Sequence, residues 1–471
     1  MTTPAVYTYG WDTAFAIPVP QVNEAIAEQG SSPAGFAITE YGYTLTGEFG
    51  PWQVCQGGDG RALRMIWPLS QVVLTDVATG GQSTFDEGQA IVEVELHYVP
   101  HTEAAMSSTG SPQALVVNPA ASVPSQPALV MISLQLTPTP QVVAGAVITL
   151  LLTDWGTANL ADFAHVFAVV DLNRMVDQGQ WGFVTPSYTS YAYLDGDALA
   201  DSVLAVLCMT GSRSGDQLPE QVNQAAIPSG SVAGFVISQA RMLDDLVRPA
   251  ITQAYPGLNG DDFLLNSDAT ELYLPDGASV PLAPIEQDGI TYYPNLTNLT
   301  VSAQGSRLVL QSDTSTVITS GITATCTATH WYTITLSTSS NGQTLSFTAA
   351  QPPQIVHDIH QSEGSVLTQL LITIAATLAL GVLAVLTDGA ALIAGGLVIG
   401  LIMGADQIIP PLIEKLNEDD SPAIDLLLAN AVDPIVWSSS SGFTLDYAAL
   451  NVSLQLGGDP EFGTTSQEAP A

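Results

Sequence analysis

The chain has 471 residues, with 45 Asp or Glu against only 8 Lys or Arg, so its formal net charge is −37 at pH 7. The acids are near ordinary usage; the bases are what is missing. With Lys415 the sole lysine, no face can carry the row of cations that phosphate neutralisation needs, which excludes nucleic acid and a polybasic patch for anionic lipid. An isolated Arg on one lipid headgroup stays open, and trypsin is offered few sites.

The length allows two or three domains, each with its own core. Cys55, Cys208 and Cys326 are odd in number, far apart and without CxxC spacing, so they read as small buried apolar residues, not as a disulfide framework or a zinc site. The opening "MTTPAVYTYGWDTAFAIPVP" has neither a basic n-region nor a long apolar h-region. Without a signal peptide, the protein is expected to be made in the cytoplasm and to be released, if at all, by a non-Sec route or lysis.

In chain order, an apolar strand "TAFAIPV" leads into a short helix in "VPQVNEAIAEQGS". There Pro20 suits the first turn, Val22, Ala25 and Ile26 share a face, and Gly30 supplies the stop. Strands follow in "GYTLTGEF", "RALRMIWPL" and "AIVEVELHYV", the last alternating Val92, Val94, Leu96 and Tyr98 with Glu93, Glu95 and His97. Thr102 to Pro127, rich in Ser, Pro and Ala, is expected to be a loop. Further strands are expected at "LVMISLQLTP" and "AVITLLLTDW", then a mixed region ending in "SVLAVLCMT". In "FVISQARMLDDLVRPAITQAY", Met242, Leu243, Leu246, Val247, Ala250 and Ile251 form one helical stripe that Pro249 should kink.

The second half resumes as sheet. Asn341-Gly342 between two alternating runs is a strong hairpin signal. Near the end, Val452, Leu454 and Leu456 alternate as one closing strand in "FTLDYAALNVSLQLGG", and the last dozen residues are expected to be a disordered tail.

Familiar catalytic signatures are missing: there is no GxSxG elbow, P-loop, HExxH or GxGxxG, so no enzyme and no cofactor are expected. His357, Asp358 and His360 in "HDIH" are possible metal ligands by type, but two His three apart more often mark a polar junction. The pairs Asp244-Asp245, Asp261-Asp262 and Asp419-Asp420 lack the alternating spacing of a calcium loop and read as solvated surface. In "YGWDTAFAI", Trp11 reads as the anchor of a strand end and Asp12 as its brace. The sequons at Asn295, Asn298 and Asn451 carry little weight without export.

Several longer strings are distinctive: "YGWDTAFAIPVPQVNEAI", "GEFGPWQVCQGGDG", "LADFAHVFAVVDLN", "SYAYLDG", "LAVLCMT", "QVNQAAIPSGSVAGFVIS" and "LNVSLQLGGDPEFG". Together they resemble the clostridial P-forty-seven protein family over nearly the whole chain. The resemblance implies the tubular lipid-binding (TULIP) superfamily: an α+β fold in which long apolar helices are wrapped by strongly curved antiparallel sheets. Two lobes are expected, 1–258 and 259–456, with a disordered tail from 457 to 471. Family members are encoded beside botulinum-type neurotoxins or insecticidal toxins, and relatives in those loci bind phosphoinositides. The scarcity of bases here argues against charge-driven phosphoinositide binding.

The stretch that asks for an explanation is Val366 to Ala405. No charge occurs from Val366 to Thr387, long enough as a helix to cross a bilayer core, and a second apolar run with five glycines follows Asp388. A core inside a curved sheet beside a lipid cavity, a membrane-inserting hairpin and a partner interface all fit, although aromatic and basic membrane anchors are missing. With the resemblance added, the candidate lipid-binding residues are Leu370, Leu371, Ile374, Leu378, Val382 and Val385, with Met242 and Leu246 from the earlier helix. The expected function is a non-enzymatic lipid- or amphipath-binding accessory of a toxin complex, with toxin-locus proteins as partners and at most transient membrane contact. The alternatives are a structural or chaperone-like toxin partner with no lipid cavity, or a membrane-inserting component that uses the 366–405 apolar hairpin.

Overall fold

A computed structural model of the chain describes residues 4–101, 110–120, 127–174, 181–363 and 366–463. The first helix, α1 (Val19–Gln29), carries Pro20 in its opening turn, buries Val22, Ala25 and Ile26, and stops at Gly30, whose φ of 57° suits a residue without a side chain. In the strand Gln82–Pro100, Val92, Val94 and Leu96 are buried while Glu93, Glu95 and His97 are half-buried, the alternation of a sheet with one wet face.

Two expectations in this half are corrected. "AVITLLLTDW" is not a strand but lies within α2 (Val142–Asn159), which buries Ile148, Leu151, Leu152 and Trp155. Those four fall at i, i+3, i+4 and i+7, so the helical period was present beneath a β-branched composition. The expected loop from Thr102 to Pro127 contains the strand Ser111–Val117, paired with Gln82–Pro100 and Ala168–Leu172. Residues 102–109 and 121–126 of that loop lie outside the described residues.

The Met242–Ile251 stripe is wholly buried. It is carried by α3 (Gln239–Met242), a widened π turn Leu243–Val247 and α4 (Arg248–Ala254), with Pro249 in the first turn of α4. Pro249 has no N–H to give to the ladder, and the widened turn precedes it directly.

The apolar stretch is one continuous helix, α5 (Gln369–Met403), of 35 residues and about 52 Å. It is therefore not a hairpin of two runs. Asp388 is exposed on the outer face and does not interrupt it. The Thr368 hydroxyl caps its start by accepting from the Leu371 N–H, and Gly404 at φ 95° ends it. Two short helices follow, α6 (Pro410–Ile413) and α7 (Asp425–Ala431).

Among the described residues, the larger sheet runs through the antiparallel order Pro186–Leu194, Val203–Thr210, Thr13–Pro18, Ala233–Ile237, Ser453–Asp459, Thr444–Asn451, Ile322–Ser339, Arg307–Thr319 and Asn295–Gln304. The Asn341-Gly342 hairpin joins Ile322–Ser339 to Gly342–Ala349, with Ser339 opposite Gly342. A second sheet holds Gly35–Glu40, Tyr43–Phe49, Ala62–Asp76, Gln82–Pro100, Ser111–Val117, Ala168–Leu172 and Ile435–Trp437. The expected single closing strand is itself a hairpin, Thr444–Asn451 and Ser453–Asp459, with Val452 at its apex at φ 69°. Its second arm inserts beside Ala233–Ile237, and Ile435–Trp437 pairs with Ala168–Leu172, so pairing crosses residue 258 in both sheets. The strand runs on to Asp459, past 457 where a tail was expected; residues 464–471 lie outside the described residues. The architecture is α+β, with long apolar helices against strongly curved antiparallel sheets.

Candidate functional site

The two halves of α5 have different surroundings. From Gly389 onward nearly every residue is buried, and the glycines explain how. A Cβ on Gly396 would meet Ala250 at 2.5 Å, and one on Gly400 would meet Leu246 at 2.7 Å and Ile408 at 3.0 Å. Gly389 abuts the ring of Tyr255, and Gly395 abuts Ile413 and Phe347. The small residues let α4 and the π turn lie against α5 at backbone distance, a packing device that membrane helices share.

The first half of α5 is only half covered. Ala375, Leu378, Ala379, Val382 and Leu386 face inward. Across from them the strands Arg307–Thr319 and Ile322–Ser339 bury small side chains, among them Ser312, Thr314, Ala324 and Ala328, and the helix lies close to the sheet. The outer face carries Leu370 at 68% exposure and Leu380 at 64%, with Val366 at 74% just before the helix. Of the candidate lipid-binding residues, Leu378, Val382, Met242 and Leu246 are buried, Leu371, Ile374 and Val385 are half-buried, and Leu370 is exposed. Leu246 abuts Gly400 in the second half of α5, whereas the six candidates on α5 itself lie between 370 and 385 in its first half, so the structure does not bring the eight to one place. None of the eight candidates lines the cavities of about 310, 260, 620, 280 and 210 Å³ found among the described residues.

The Trp11–Asp12 pair forms a buried knot. The Trp11 indole N–H donates to the Pro219 carbonyl at 2.9 Å, and the ring stacks on Tyr188. Asp12 accepts from the Thr210 N–H at 2.8 Å, from the Arg213 Nε at 2.8 Å and pairs with the Arg241 Nε at 3.0 Å. Arg241 also pairs with Asp245 at 2.8 Å, and Arg248 with Asp244 at 2.6 Å. Burial pushes the Asp245 carboxyl above its usual range, and the Arg241 charge opposes that shift. The Asp244-Asp245 doublet is therefore part of an ion-pair network between helix and sheet.

Five of the eight bases, Arg61, Arg64, Arg213, Arg241 and Arg248, are held in such pairs. Arg174 donates to the Asp433 carbonyl and Arg307 to Gln351. What little positive charge exists mostly braces the fold.

Burial raises the thiols of Cys55 and Cys326 to about 11 and that of Cys208 to about 12, so all three are protonated at neutral pH. Ser31 and His165 are hydrogen-bonded at 3.0 Å, but the other ring nitrogen of His165 has no partner to orient it, and burial lowers its pKa to about 4. His357 and His360 are three apart in the strand Gln354–Gln361 and so point to opposite faces. Asn451, in the third sequon, is buried and donates to Tyr447 and Gln455.

One site had no signal in the sequence. The N-terminal segment runs between two adjoining cavities, one of about 620 Å³ holding Asn223, Gln224 and Tyr447, the other of about 280 Å³ holding Tyr7, Tyr9 and Asp268. The smaller one is assembled from four separate stretches of chain, so no spacing pattern could reveal it.

A family model described as "OrfX-like: Protein OrfX2/OrfX3/P47" matches residues 8–458. Protein OrfX3 of Paraclostridium bifermentans is 34% identical over 481 residues, covering 96% of this chain and 98% of that relative. Protein OrfX3 of Clostridium botulinum (strain Kyoto / Type A2) is 30% identical over 489 residues, with the same coverage. Two solved structures share the fold: P47 from Clostridium botulinum A2, with a TM-score of 0.60 at 16% identity over 97% of this chain and 98% of that one, and P47 of Clostridium botulinum E1, with 0.60 at 15% over 96% and 99%. The chain belongs to the OrfX-like family of OrfX2, OrfX3 and P47 proteins.

Proposed function

We propose that this chain is a non-catalytic accessory of a bacterial toxin complex that holds a lipid or similar amphipath against the outer face of the first half of α5. The observation that carries the reading is the charge-free run from Val366 to Thr387, whose Leu370 and Leu380 remain exposed while the second half of the same helix is packed. Apolar chains bind such a surface by burial, at about 0.8 kcal/mol per methylene, and need few fixed polar groups. Anionic headgroups are not selected, because seven of the eight bases are engaged elsewhere and Lys415 is a single charge.

Flotation with phosphatidylcholine liposomes, beside native mass spectrometry of protein taken from cells, tests the reading. Leu370→Asp and Leu380→Asp change exposed positions and should fold normally while abolishing flotation or lipid retention. Wild-type protein that neither floats nor retains lipid would refute it. The second reading, a structural toxin partner with no lipid cavity, is favoured by the direct contact of α5 with the sheet, where the Thr387 hydroxyl is hydrogen-bonded to the His330 ring at 3.0 Å. It predicts co-purification with a toxin-locus protein in the absence of lipid.

A further inference from the structure

The two cavities beside the N-terminal segment carry chemistry that the α5 reading does not use. Along Pro4–Tyr9 the side chains alternate: Val6 and Thr8 are buried, whereas Tyr7 is 51% and Tyr9 39% exposed. Both tyrosines line the smaller cavity with Asp268, and the Asn223 amide reaches the Tyr9 hydroxyl at 3.5 Å, where the larger cavity begins. No Lys or Arg lines either one, and Asp268 is the single carboxylate.

The rim of the smaller cavity is held in an unusual backbone. Tyr9 at φ 52°, Ala269 at φ 55° and Val452 at φ 69° all lie on it, three of the ten non-glycine residues with positive φ among the described residues. For a β-branched residue such as Val452 that region is a true outlier. Each is fixed by its neighbours: the Trp11 N–H closes the Tyr9–Gly10 turn on the Thr8 carbonyl at 3.0 Å, the Val452 N–H donates to the Gly305 carbonyl at 2.7 Å, and the Ala269 N–H donates to the Asn266 carbonyl at 2.9 Å. Backbone strain of this kind persists where the surroundings over-determine it, and it clusters at ligand clamps.

We propose that this face binds a neutral oligosaccharide. The rings of Tyr7 and Tyr9 offer flat apolar platforms to the C–H faces of sugar rings, at low cost in side-chain entropy. Asp268 accepts from sugar hydroxyls, and Gln224 and Asn223 supply amide groups toward them. The charge decides between sugar classes: a protein at −37 with no base at the cavity repels sialic acid, sulfated sugars and phosphates, while uncharged hydroxyls are indifferent to that field. Adjoining spaces of about 620 and 280 Å³ leave room for more than one ring. The site is separate from α5 and stands whether or not that helix binds lipid.

Saturation-transfer NMR on the full chain tests it, using neutral gluco-, galacto-, manno- and N-acetylhexosamine-configured oligosaccharides, with sialylated and sulfated ones as charged comparators. The expected result is transfer to at least one neutral class. Affinity should fall about tenfold in Tyr7→Ala and in Tyr9→Ala, recover in Tyr7→Phe, and stay unchanged in Tyr293→Ala, an exposed tyrosine elsewhere. If the alanine variants lose melting temperature, Asp268→Asn on its exposed turn is read instead and should weaken binding as well. Absence of transfer from every neutral sugar, preference for a charged one, or undiminished transfer in the Tyr7→Ala/Tyr9→Ala double variant overturns the proposal. So does a protein partner lost in those variants with no sugar signal.

Discussion

Gly396 of α5 meets Ala250 of α4 with no room for a side chain: a Cβ built on the glycine would lie 2.5 Å from the alanine Cβ. On helix propensity alone, Gly→Ala in a helix interior stabilises by about 0.5–1 kcal/mol. Here the overlap should outweigh that gain, and Gly396→Ala is expected to lose about 1–3 kcal/mol in urea unfolding. Gly145 in α2, where a Cβ would meet only Pro140 at 3.4 Å, serves as the control. Gly145→Ala should hold or raise stability by about 0.5–1 kcal/mol. Equal gains in both variants would show that α4 and α5 are not packed as described.

Leu378 is 1% exposed on the inner face of α5, two residues from exposed Leu380. An unpaired carboxylate at 378 should cost the soluble protein several kcal/mol and with it much of the cooperative unfolding transition. Leu380→Asp should change stability by no more than about 0.5 kcal/mol. If Leu378→Asp keeps its melting temperature yet loses liposome binding or leakage, the helix serves a bilayer rather than a core.

Asp12 brings Arg213 of one sheet turn and Arg241 of α3 to one carboxylate. Asp12→Ala leaves Arg241, itself nearly buried, without its closest sheet partner and strips an acceptor from the Thr210 N–H. A loss of about 3 kcal/mol or more in chemical denaturation is expected. A loss below about 1 kcal/mol would mean that the Asp244 and Asp245 carboxylates hold Arg241 unaided.

His165 gives the fold a pH dependence. Its folded pKa of about 4 lies below the usual imidazole value of 6.5, so between those limits the unfolded chain binds the extra proton. Stability from this group is therefore complete above about pH 6.5 and falls as pH drops through 4, by about 3 kcal/mol in all. Burial lowers the pKa of His330 as well, with the same sign. Urea melts at pH 7, 6 and 5 should show the decline, and His165→Gln should flatten part of it. An identical slope in the variant would assign the decline to other groups.

The sequence revealed elements wherever one local signal settled the outcome. Asn341-Gly342 fixed a hairpin, Gly30 a helix end, and Val92, Val94 and Leu96 a half-buried strand. It misled where composition and period disagreed. Val147, Ile148 and Thr149 favour a strand by type, yet Ile148, Leu151, Leu152 and Trp155 are spaced for a helix. Asp388-Gly389 looked like a break because charge and glycine mark turns, but Asp388 points to water and Gly389 makes way for Tyr255. The α5 candidates were legible as an apolar run, while the inner and outer faces that separate Leu378 from Leu380 were set by the sheet. The Tyr7–Tyr9 site was not legible, since residues near positions 9, 239, 269 and 452 meet only in the finished fold.

The strand Ser453–Asp459 lies between Ala233–Ile237 and Thr444–Asn451, in the middle of its sheet, although it is synthesised after every other strand there. Until it emerges from the ribosome, Ala233–Ile237 has one arm of backbone groups without partners, an open edge that invites other chains. Closing the sheet then requires contacts across more than two hundred residues, as between Phe235 and Leu456, and such distant pairing is slow to form. Chains truncated before Ser453 should therefore accumulate as aggregates rather than as shorter folded proteins, and any fusion that delays or obstructs this strand should reduce yield far more than one at the N-terminus.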